Sequence, residues 1–273
     1  MQTRRLPRVL AIHDLCVFGR CSLSVISPLL SARGVQCCPL PTALLSAPAN
    51  YEGCTLLGLT GEMPRVLRHL RSLGTRFDAV YSGFLADGEQ AHAVEEAFAA
   101  FPDALRVVDP VLGDNGKLYR TTGAPTVDAV RRLAAQAHII TPNVTEAAVL
   151  LGKDAGSAPA GEADAKAWLN ALTADTPRSA VLTGLTSEKR GEAVVGWAKK
   201  GASGLIRHQR TAVDYPGAGD LFTSRLLAEM LYGAPLSAAV KTAALFVRDC
   251  AAFTAGRGAD PKEGLLFEGV LRT

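Results

Sequence analysis

The segment Asp214-Tyr215-Pro216-Gly217-Ala218-Gly219-Asp220 is followed directly by the helix-like run Leu-Phe-Thr-Ser-Arg-Leu-Leu at 221–227. Gly217 and Gly219 permit backbone conformations and close approaches that a side chain would prevent. The first N–H groups of a helix have no partner within the helix, so such a terminus binds anions, most commonly phosphate. A carboxylate beside an anion site, Asp220, indicates a group that handles a proton. The same pattern also occurs as an ordinary loop with an N-capping Asp.

On either side of this segment, short apolar runs alternate with longer amphipathic runs along the whole chain. Strands are predicted at 8–12, 35–40, 77–81, 105–108, 138–140, 179–183, 192–198 and 204–210. Helices are predicted at 21–33, 63–73, 88–101, 126–136, 145–151, 163–172, 220–232 and 236–254. This alternation predicts a mostly parallel sheet with helices on both faces. No linker or internal repeat interrupts it, so residues 1–273 are expected to form one α/β domain.

The amino-acid composition argues against a nucleic-acid-binding protein and against a membrane protein. The chain has 273 residues, of which 48% are hydrophobic, enough for one sizeable domain or two small ones. The net charge is +3 and no Lys/Arg block carries interleaved aromatic residues, so nucleic acid is not an expected partner. No apolar run approaches the length of a membrane span. His13 and Asp14 interrupt the N-terminal apolar stretch, which argues against a signal sequence.

Five of the six cysteines fall within the first 54 residues, and none forms a Cys-x-x-Cys pair. A metal site built from His13, Cys16 and Cys21 is less favoured than buried free thiols, because free cysteine usually behaves as a small hydrophobe. Free thiols favour a reducing compartment, the cytoplasm.

Polar residues follow the predicted strands, and in a parallel sheet the strands end at one shared edge where ligands bind. Asp109 follows one strand, while Asn143 and Glu146 follow the next and have the spacing of a helix capping box. Carboxylates and waters suit Mg²⁺. An anion cradle, magnesium and a base are the components of phosphoryl transfer. The chain has no Gly-x-x-x-x-Gly-Lys-Ser/Thr sequence, which excludes a P-loop enzyme.

Three motifs occur in order: Asp-Pro-Val-Leu-Gly-Asp at 109–114, Thr-Pro-Asn-Val-Thr-Glu at 141–146 and Gly-Ala-Gly-Asp at 217–220. With segments 9–14, 39–42 and 81–85 they resemble the ribokinase-like superfamily over essentially the whole chain. The resemblance is closest to its pyridoxal/pyridoxamine (vitamin B6) kinase branch. It implies a three-layer α/β/α fold with a mostly parallel central sheet. It also implies a cytoplasmic homodimer. The implied reaction uses ATP and Mg²⁺ to phosphorylate the 5′-hydroxymethyl group of pyridoxal, pyridoxamine or pyridoxine, and whether a monovalent cation is also needed stays open.

The resemblance also assigns roles to residues. Asp220 would be the base that accepts the hydroxyl proton, and the N–H groups of Gly217, Ala218 and Gly219 would hold developing negative charge. Asp109 and Glu146 would organise magnesium. The residues implied to contact ATP are Asp109, Asp114, Asn143, Glu146, Thr183, Gly217 and Gly219. The residues implied to contact the substrate are Asp14, Thr42, Ser46 and Tyr81.

Two departures from the branch bear on the substrate. Members often carry Gln and Ser where this chain has His13 and Asp14. An acid at position 14 could pair with a ring nitrogen or an amine of the substrate, which gives the hypothesis that pyridoxamine is preferred.

Alternative functions remain open. A hydroxymethylpyrimidine kinase of the same fold is the nearest, although Tyr-Ser-Gly-Phe at 81–84 stands where that branch often has Met-Lys-x-Gly. A sugar kinase is less favoured, because no Gly-Gly-x-x-x-Asn segment is present. From another class, the chain could bind a nucleotide or vitamer without turnover. Asp220 argues against this, since simple binding needs no base.

Overall fold

The computed structural model describes residues 5–174, 176, 178–187, 189, 191–210 and 213–271. The strands within these residues are β1 (Arg8–Cys16), β2 (Gln36–Leu45), β3 (Leu56–Gly58), β4 (Ala79–Ser82), β5 (Leu105–Val108), β6 (Gly113–Asp114), β7 (Lys117–Leu118), β8 (Ile139–Ile140), β9 (Ser179–Thr186), β10 (Glu192–Lys199) and β11 (Ala202–Gln209). The α-helices are α1 (Leu23–Ala32), α2 (Met63–Ser72), α3 (Gln90–Ala100), α4 (Ala124–Gln136), α5 (Val144–Leu150), α6 (Glu162–Thr173), α7 (Ala218–Leu231) and α8 (Leu236–Gly256).

Nine strands form one sheet in the order β11-β10-β9-β8-β5-β4-β1-β2-β3. The six strands from β9 to β2 pair in parallel, and the outer strands β10, β11 and β3 pair antiparallel. This arrangement confirms the mostly parallel sheet. The chain runs from β1 to β2 on one side and then returns to place β4 on the other side of β1. Strand order therefore reverses at β1 and β4, and such a switch point opens a ligand crevice at the carboxyl ends of the strands.

Side chains of β1 alternate between the two faces of the sheet, as the period of a strand requires. Leu10 and Ile12 lie in a core cluster that also contains buried residues of α2, α3, α4, α5 and α6. Val9 and Ala11 lie in a second cluster with buried residues of α1, α7 and α8. Each face of the sheet is thus covered by its own helical layer, which confirms the predicted three-layer fold.

The structure differs from the sequence prediction mainly in the first strands and in one hairpin. β1 continues four residues beyond position 12, to Cys16. β2 continues five residues beyond position 40, pairs with the end of β1 and then with β3, which was not predicted. Pro39 and Pro41 lack the N–H group that a ladder uses, so the pattern predicts an end where the strand continues. The hairpin of β6 and β7 was also missed, because two-residue strands carry no alternation.

No helix within the described residues is both long enough and apolar enough to cross a membrane.

We expect Leu67→Ala to lower the free energy of unfolding by about 2–5 kcal/mol, because Leu67 of α2 is fully buried in the first core cluster and its loss leaves a cavity. Urea unfolding measures the change. Leu73→Ala is the matched control, since Leu73 is 60% exposed and its truncation should cost no more than about 0.5 kcal/mol. Equal losses in the two variants would contradict this account of the core.

Candidate active site

Four carboxylates are buried around the carboxyl ends of the central strands. Asp14 lies near the end of β1, Asp109 follows β5, Glu146 lies in the first turn of α5 and Asp220 in the first turn of α7. His13 is the only basic residue among the buried polar side chains of the described chain. Buried charges are costly unless they are paired, so the partners of each carboxylate decide what it can do.

Asp220 is the third residue of α7, and Gly217 is the N-cap residue with φ of +75°. Asp220 is therefore not the N-cap, which removes the ordinary-loop interpretation of the motif. Its Oδ2 accepts a hydrogen bond of 2.7 Å from the Ser22 N–H, and its Oδ1 lies 3.2 Å from Nε2 of His13. No side chain caps α7. The start of the helix thus keeps its positive dipole end beside the crevice.

Gly217 is required by contact as well as by conformation. A Cβ at this position would lie 2.1 Å from the carbonyl oxygen of Arg20 and 2.9 Å from Cα of Cys21. The turn therefore packs directly on the segment that carries the Ser22 N–H to Asp220. Gly219 is exposed, and a Cβ there would lie 3.9 Å from Oδ2 of Asp109. The glycine turn and two of the four carboxylates thus adjoin one another.

His13 joins two of the buried carboxylates. Its Nδ1 lies 2.7 Å from Oδ1 of Asp14, and its Nε2 faces Asp220. Burial acts to lower the pKa of His13, but the charge of Asp220 and the bonds to both carboxylates outweigh it and raise the pKa well above its ordinary value. Burial likewise acts to raise the pKa of Asp220, and His13 with the Ser22 N–H brings it below the usual value. Asp220 is therefore held ionised.

Asp109 has the opposite electrostatic environment. Burial and the neighbouring charge of Asp220 raise its pKa to about 7, against weaker lowering by His13, Thr141 and Thr223. The Thr223 hydroxyl lies 3.5 Å from Oδ2 of Asp109 and 3.1 Å from the Thr141 hydroxyl. These hydroxyls and His13 lower the pKa of Asp109 too weakly to offset burial and the charge of Asp220, so this carboxylate is poorly compensated.

Glu146 and Asn143 form the predicted capping box of α5. The Asn143 N–H donates to Oε2 of Glu146 over 2.8 Å, and the Glu146 N–H donates to Oδ1 of Asn143 over 2.9 Å. The Leu112 N–H donates to the other carboxylate oxygen over 3.2 Å. Burial and Asp109 nevertheless raise the pKa of Glu146 well above its ordinary value. The surroundings of Asp109 and Glu146 thus disfavour the charged form of both carboxyl groups.

The comparison with known proteins assigns the family. A sequence profile of the phosphomethylpyrimidine kinase family matches residues 66–263. The chain belongs to this family. A pyridoxine/pyridoxal/pyridoxamine kinase of Bordetella avium is 32% identical over 94% of this chain and 88% of its own length. This relative places the chain in the pyridoxal kinase branch of the ribokinase-like fold.

Solved structures of this kinase family superpose closely on the chain. A Bacteroides thetaiotaomicron protein, solved under the provisional description of phosphomethylpyrimidine kinase in a crystal form with pyridoxal, is 35% identical, with a TM-score of 0.93 over 98% of this chain and 95% of that one. Pyridoxal kinase from Lactobacillus plantarum is 28% identical, with a TM-score of 0.89 over 98% of this chain and 96% of that one.

The other residues predicted to contact ATP lie at the adjoining sheet edge of this kinase fold. Asp114 and Asn143 line a cavity of about 180 Å³ together with Gly184. Thr183 is half-buried beside this cavity, and its N–H donates to the carbonyl of Pro142 over 3.0 Å. Asp114, Asn143 and Thr183 come from different elements, and the fold brings these three residues to one region. Their contact with ATP stays a prediction.

The residues predicted to contact the substrate divide into two groups. Ser46 is exposed and its hydroxyl accepts from the Thr55 N–H over 3.0 Å. Thr42 and Tyr81 are completely buried, and Asp14 is 4% exposed. The Thr42 hydroxyl donates to the carbonyl of Phe84 over 2.9 Å. Thr42 and Tyr81 thus lie inside the protein in this structure, and their contact with the substrate stays a prediction.

Ser22 and Gly83 shape the crevice in ways that the sequence analysis did not predict. Ser22 has φ of +57°, rare for a residue with a side chain, and this conformation accompanies its N–H bond to Asp220. Gly83 has no room for a side chain, since a Cβ there would lie 2.0 Å from Cδ2 of His13. Within the described part of the chain, no group of three or more His, Cys, Asp or Glu side chains is arranged to hold a metal ion by itself.

We expect Gly217→Val to reduce ATP-dependent turnover at least ~10-fold, because the new side chain strains the turn and collides with Arg20 and Cys21. Steady-state kinetics at varied ATP, below the unfolding temperature, measure this loss. Gly74→Val is the control, since Gly74 has a φ of +64° and no atom within 4 Å of its Cβ position. Normal kinetics in Gly217→Val would refute an anion cradle at this turn.

Proposed function

We propose that this protein phosphorylates the 5′-hydroxymethyl group of a vitamin B6 vitamer, pyridoxal, pyridoxamine or pyridoxine, with ATP as the donor. The observation that carries the proposal is the ionised Asp220 carboxylate beside the uncapped start of α7. Family membership supports it, because the matched family and the relatives in Bordetella avium and Lactobacillus plantarum bear the names of kinases. The crystal form with pyridoxal supports the choice of acceptor.

In the proposed reaction, Asp220 accepts the proton of the acceptor hydroxyl as the oxygen attacks the γ-phosphorus of ATP. The backbone N–H groups of Gly217, Ala218 and Gly219, together with the dipole of α7, stabilise the charge on the transferring phosphoryl group. Both contributions come from one short segment, so the base and the cradle keep a fixed spacing. The cavity beside Asp114, Asn143 and Gly184 is the proposed continuation toward the nucleotide.

Magnesium fits the two remaining carboxylates. Asp109 and Glu146 are buried, repel each other and have raised pKa values, so a divalent cation at this edge would relieve an existing electrostatic penalty. They would hold Mg²⁺ directly or through water, as this ion usually keeps several waters and bridges to phosphates. When bound, it would neutralise phosphate charge during transfer.

The alternative acceptor is hydroxymethylpyrimidine, which is favoured by the description of the matched family. Both acceptors are small nitrogen heterocycles with a hydroxymethyl group. A non-catalytic binding protein is the other alternative, and it gives no reason for an ionised carboxylate at position 220.

We further propose that residues 1–273 act as one domain and that the protein is a cytoplasmic homodimer. The free state of all six cysteines supports a reducing compartment. Exposed apolar side chains on the β1–α1 loop and on the paired strands β2 and β3 support association, with Val17 71%, Phe18 49% and Leu57 61% exposed.

Asp220→Asn should lower kcat at least ~10²-fold and leave ATP affinity largely intact, because it removes the base but keeps the shape of the side chain. ADP release with Mg²⁺ and pyridoxal, pyridoxamine, pyridoxine or hydroxymethylpyrimidine measures this. Asp249→Asn is the control, since Asp249 is exposed on α8. Turnover by the wild-type protein on the pyrimidine alone would move it to the alternative function, and full activity of Asp220→Asn would overturn the assigned base.

Asp109→Asn should raise the Mg²⁺ concentration for half-maximal activity about 10–100-fold, because it removes the negative charge proposed to hold the ion. A Mg²⁺ titration of the initial rate, after treatment with a chelator, gives the two midpoints. Asp128→Asn on the exposed face of α4 is the matched control. An unchanged midpoint in Asp109→Asn would contradict the magnesium assignment.

A further inference from the structure

His13 bridges two carboxylates that come from distant parts of the chain. Asp14 is its neighbour in β1, whereas Asp220 is 207 positions away in α7. All three residues are less than 10% exposed. The bridge therefore links the first strand of the fold to the proposed catalytic base.

Each ring nitrogen of His13 faces one carboxylate and one backbone N–H. Nδ1 lies 2.7 Å from Oδ1 of Asp14 and 3.0 Å from the Asp14 nitrogen, while Nε2 lies 3.2 Å from Oδ1 of Asp220 and 3.3 Å from the nitrogen of Phe84. The carboxylate is the nearer partner on both sides. An imidazolium, with a proton on each nitrogen, donates to both carboxylates and gives up the ring as an acceptor for the Asp14 and Phe84 N–H groups. A neutral ring accepts one of these N–H groups but leaves a lone pair facing a carboxylate.

The surroundings of the ring favour this charged form. The titratable groups that face the bridge from neighbouring elements are Asp109 after β5, Tyr81 of β4, and Cys16 and Cys21 on either side of the β1–α1 loop. None of these groups is basic. Burial acts to lower the pKa of His13, and the charges and hydrogen bonds of Asp220 and Asp14 raise it well above its ordinary value.

The position of the ring is fixed by packing. Gly83 leaves no space on one side, because even a Cβ there would overlap the ring. The Tyr81 ring meets it edge-on, with the ring centroids 6.3 Å apart. The second oxygen of Asp220 is held by the Ser22 N–H. Both oxygens of Asp220 are thus held by groups in fixed positions, the His13 ring and the Ser22 N–H.

We propose that His13 and Asp14 form a positioning pair, in which Asp14 orients His13 and His13 fixes the Asp220 carboxylate toward the acceptor hydroxyl. This inference rests on the proposed kinase function. His13 and Asp14 are positioning residues, because they act through Asp220 and not on the reacting atoms. A well-oriented carboxylate matters because small displacements of a catalytic group cost large factors in rate.

The same geometry changes the role predicted for Asp14. One of its oxygens is bound to His13, and the other lies 3.7 Å from the Cys16 thiol, which donates to it. Both oxygens of Asp14 thus already have partners within the protein, which favours a positioning role over direct contact with a substrate amine or ring nitrogen. In the proposed pair, Asp14 therefore does not set the preference among the vitamers.

The test compares Asp14→Asn, His13→Gln and the double variant with the wild-type protein on pyridoxal, pyridoxamine and pyridoxine. We expect Asp14→Asn to lower kcat at least ~10-fold by the same factor for all three vitamers, with each KM within about 2-fold of wild type. His13→Gln should lose more. The double variant should be no worse than His13→Gln, because Asp14 acts only through His13. His92→Gln, at an exposed histidine of α3, is the control.

A change in the ratio of kcat/KM among the vitamers in Asp14→Asn, or a raised KM for one of them, would overturn the inference and return Asp14 to the substrate. Additive losses in the double variant would overturn it as well.

Proton–nitrogen NMR of the wild-type ring at neutral pH should find both nitrogens of His13 protonated, and a singly protonated ring contradicts the pair. If His13→Gln unfolds, the NMR measurement and the Asp14→Asn variant, which keeps the shape of the side chain, still test the positioning pair. Wild-type protein that turns over none of the vitamers would overturn the proposed function itself.

Discussion

Burial of four carboxylates at one edge of the sheet is the constraint on which the site depends. A buried charge without a partner costs several kcal/mol, so each carboxylate must be compensated or neutralised. Asp14 and Asp220 share His13, and Glu146 accepts two backbone N–H groups. Asp109 is compensated only weakly, by His13 and by the hydroxyls of Thr141 and Thr223. The four carboxyl groups are therefore stabilised to different degrees, and this difference shifts the pKa of Asp220 down and the pKa of Asp109 and of Glu146 up.

The topology explains why these groups meet. Strand order reverses at β1 and β4, so the carboxyl end of β1 faces an open crevice that the parallel neighbours also border. The start of α7 closes the crevice from the other side, and Gly217 lets it pack on Arg20 and Cys21 without a gap. Because the contributing groups stand at strand ends and at a helix start, their spacing is set by the packed layers and not by a loop.

Much of this fold could be predicted, since strands such as 105–108 and helices such as 236–254 carry clear periodicity. Asp109, Asn143, Glu146 and Asp220 could be predicted as well, because they directly follow strands or open helices. The bridge from His13 to Asp220 could not, because it joins β1 to α7 and leaves no mark on local sequence. The strained backbone of Ser22 likewise depends on a tertiary hydrogen bond and is invisible in composition or spacing.

The contrast between Asp109 and Asp220 bears on the type of chemistry the site can support. Environments that push the pKa values of two acids apart assign them different tasks. A lowered pKa makes Asp220 a weak proton acceptor, which would be a defect in a reaction limited by proton removal. Phosphoryl transfer through a loose transition state needs little proton abstraction and much alignment of the attacking oxygen. A carboxylate held by His13 and Ser22 aligns the attacking oxygen and accepts its proton as transfer proceeds, so its electrostatic environment suits this reaction.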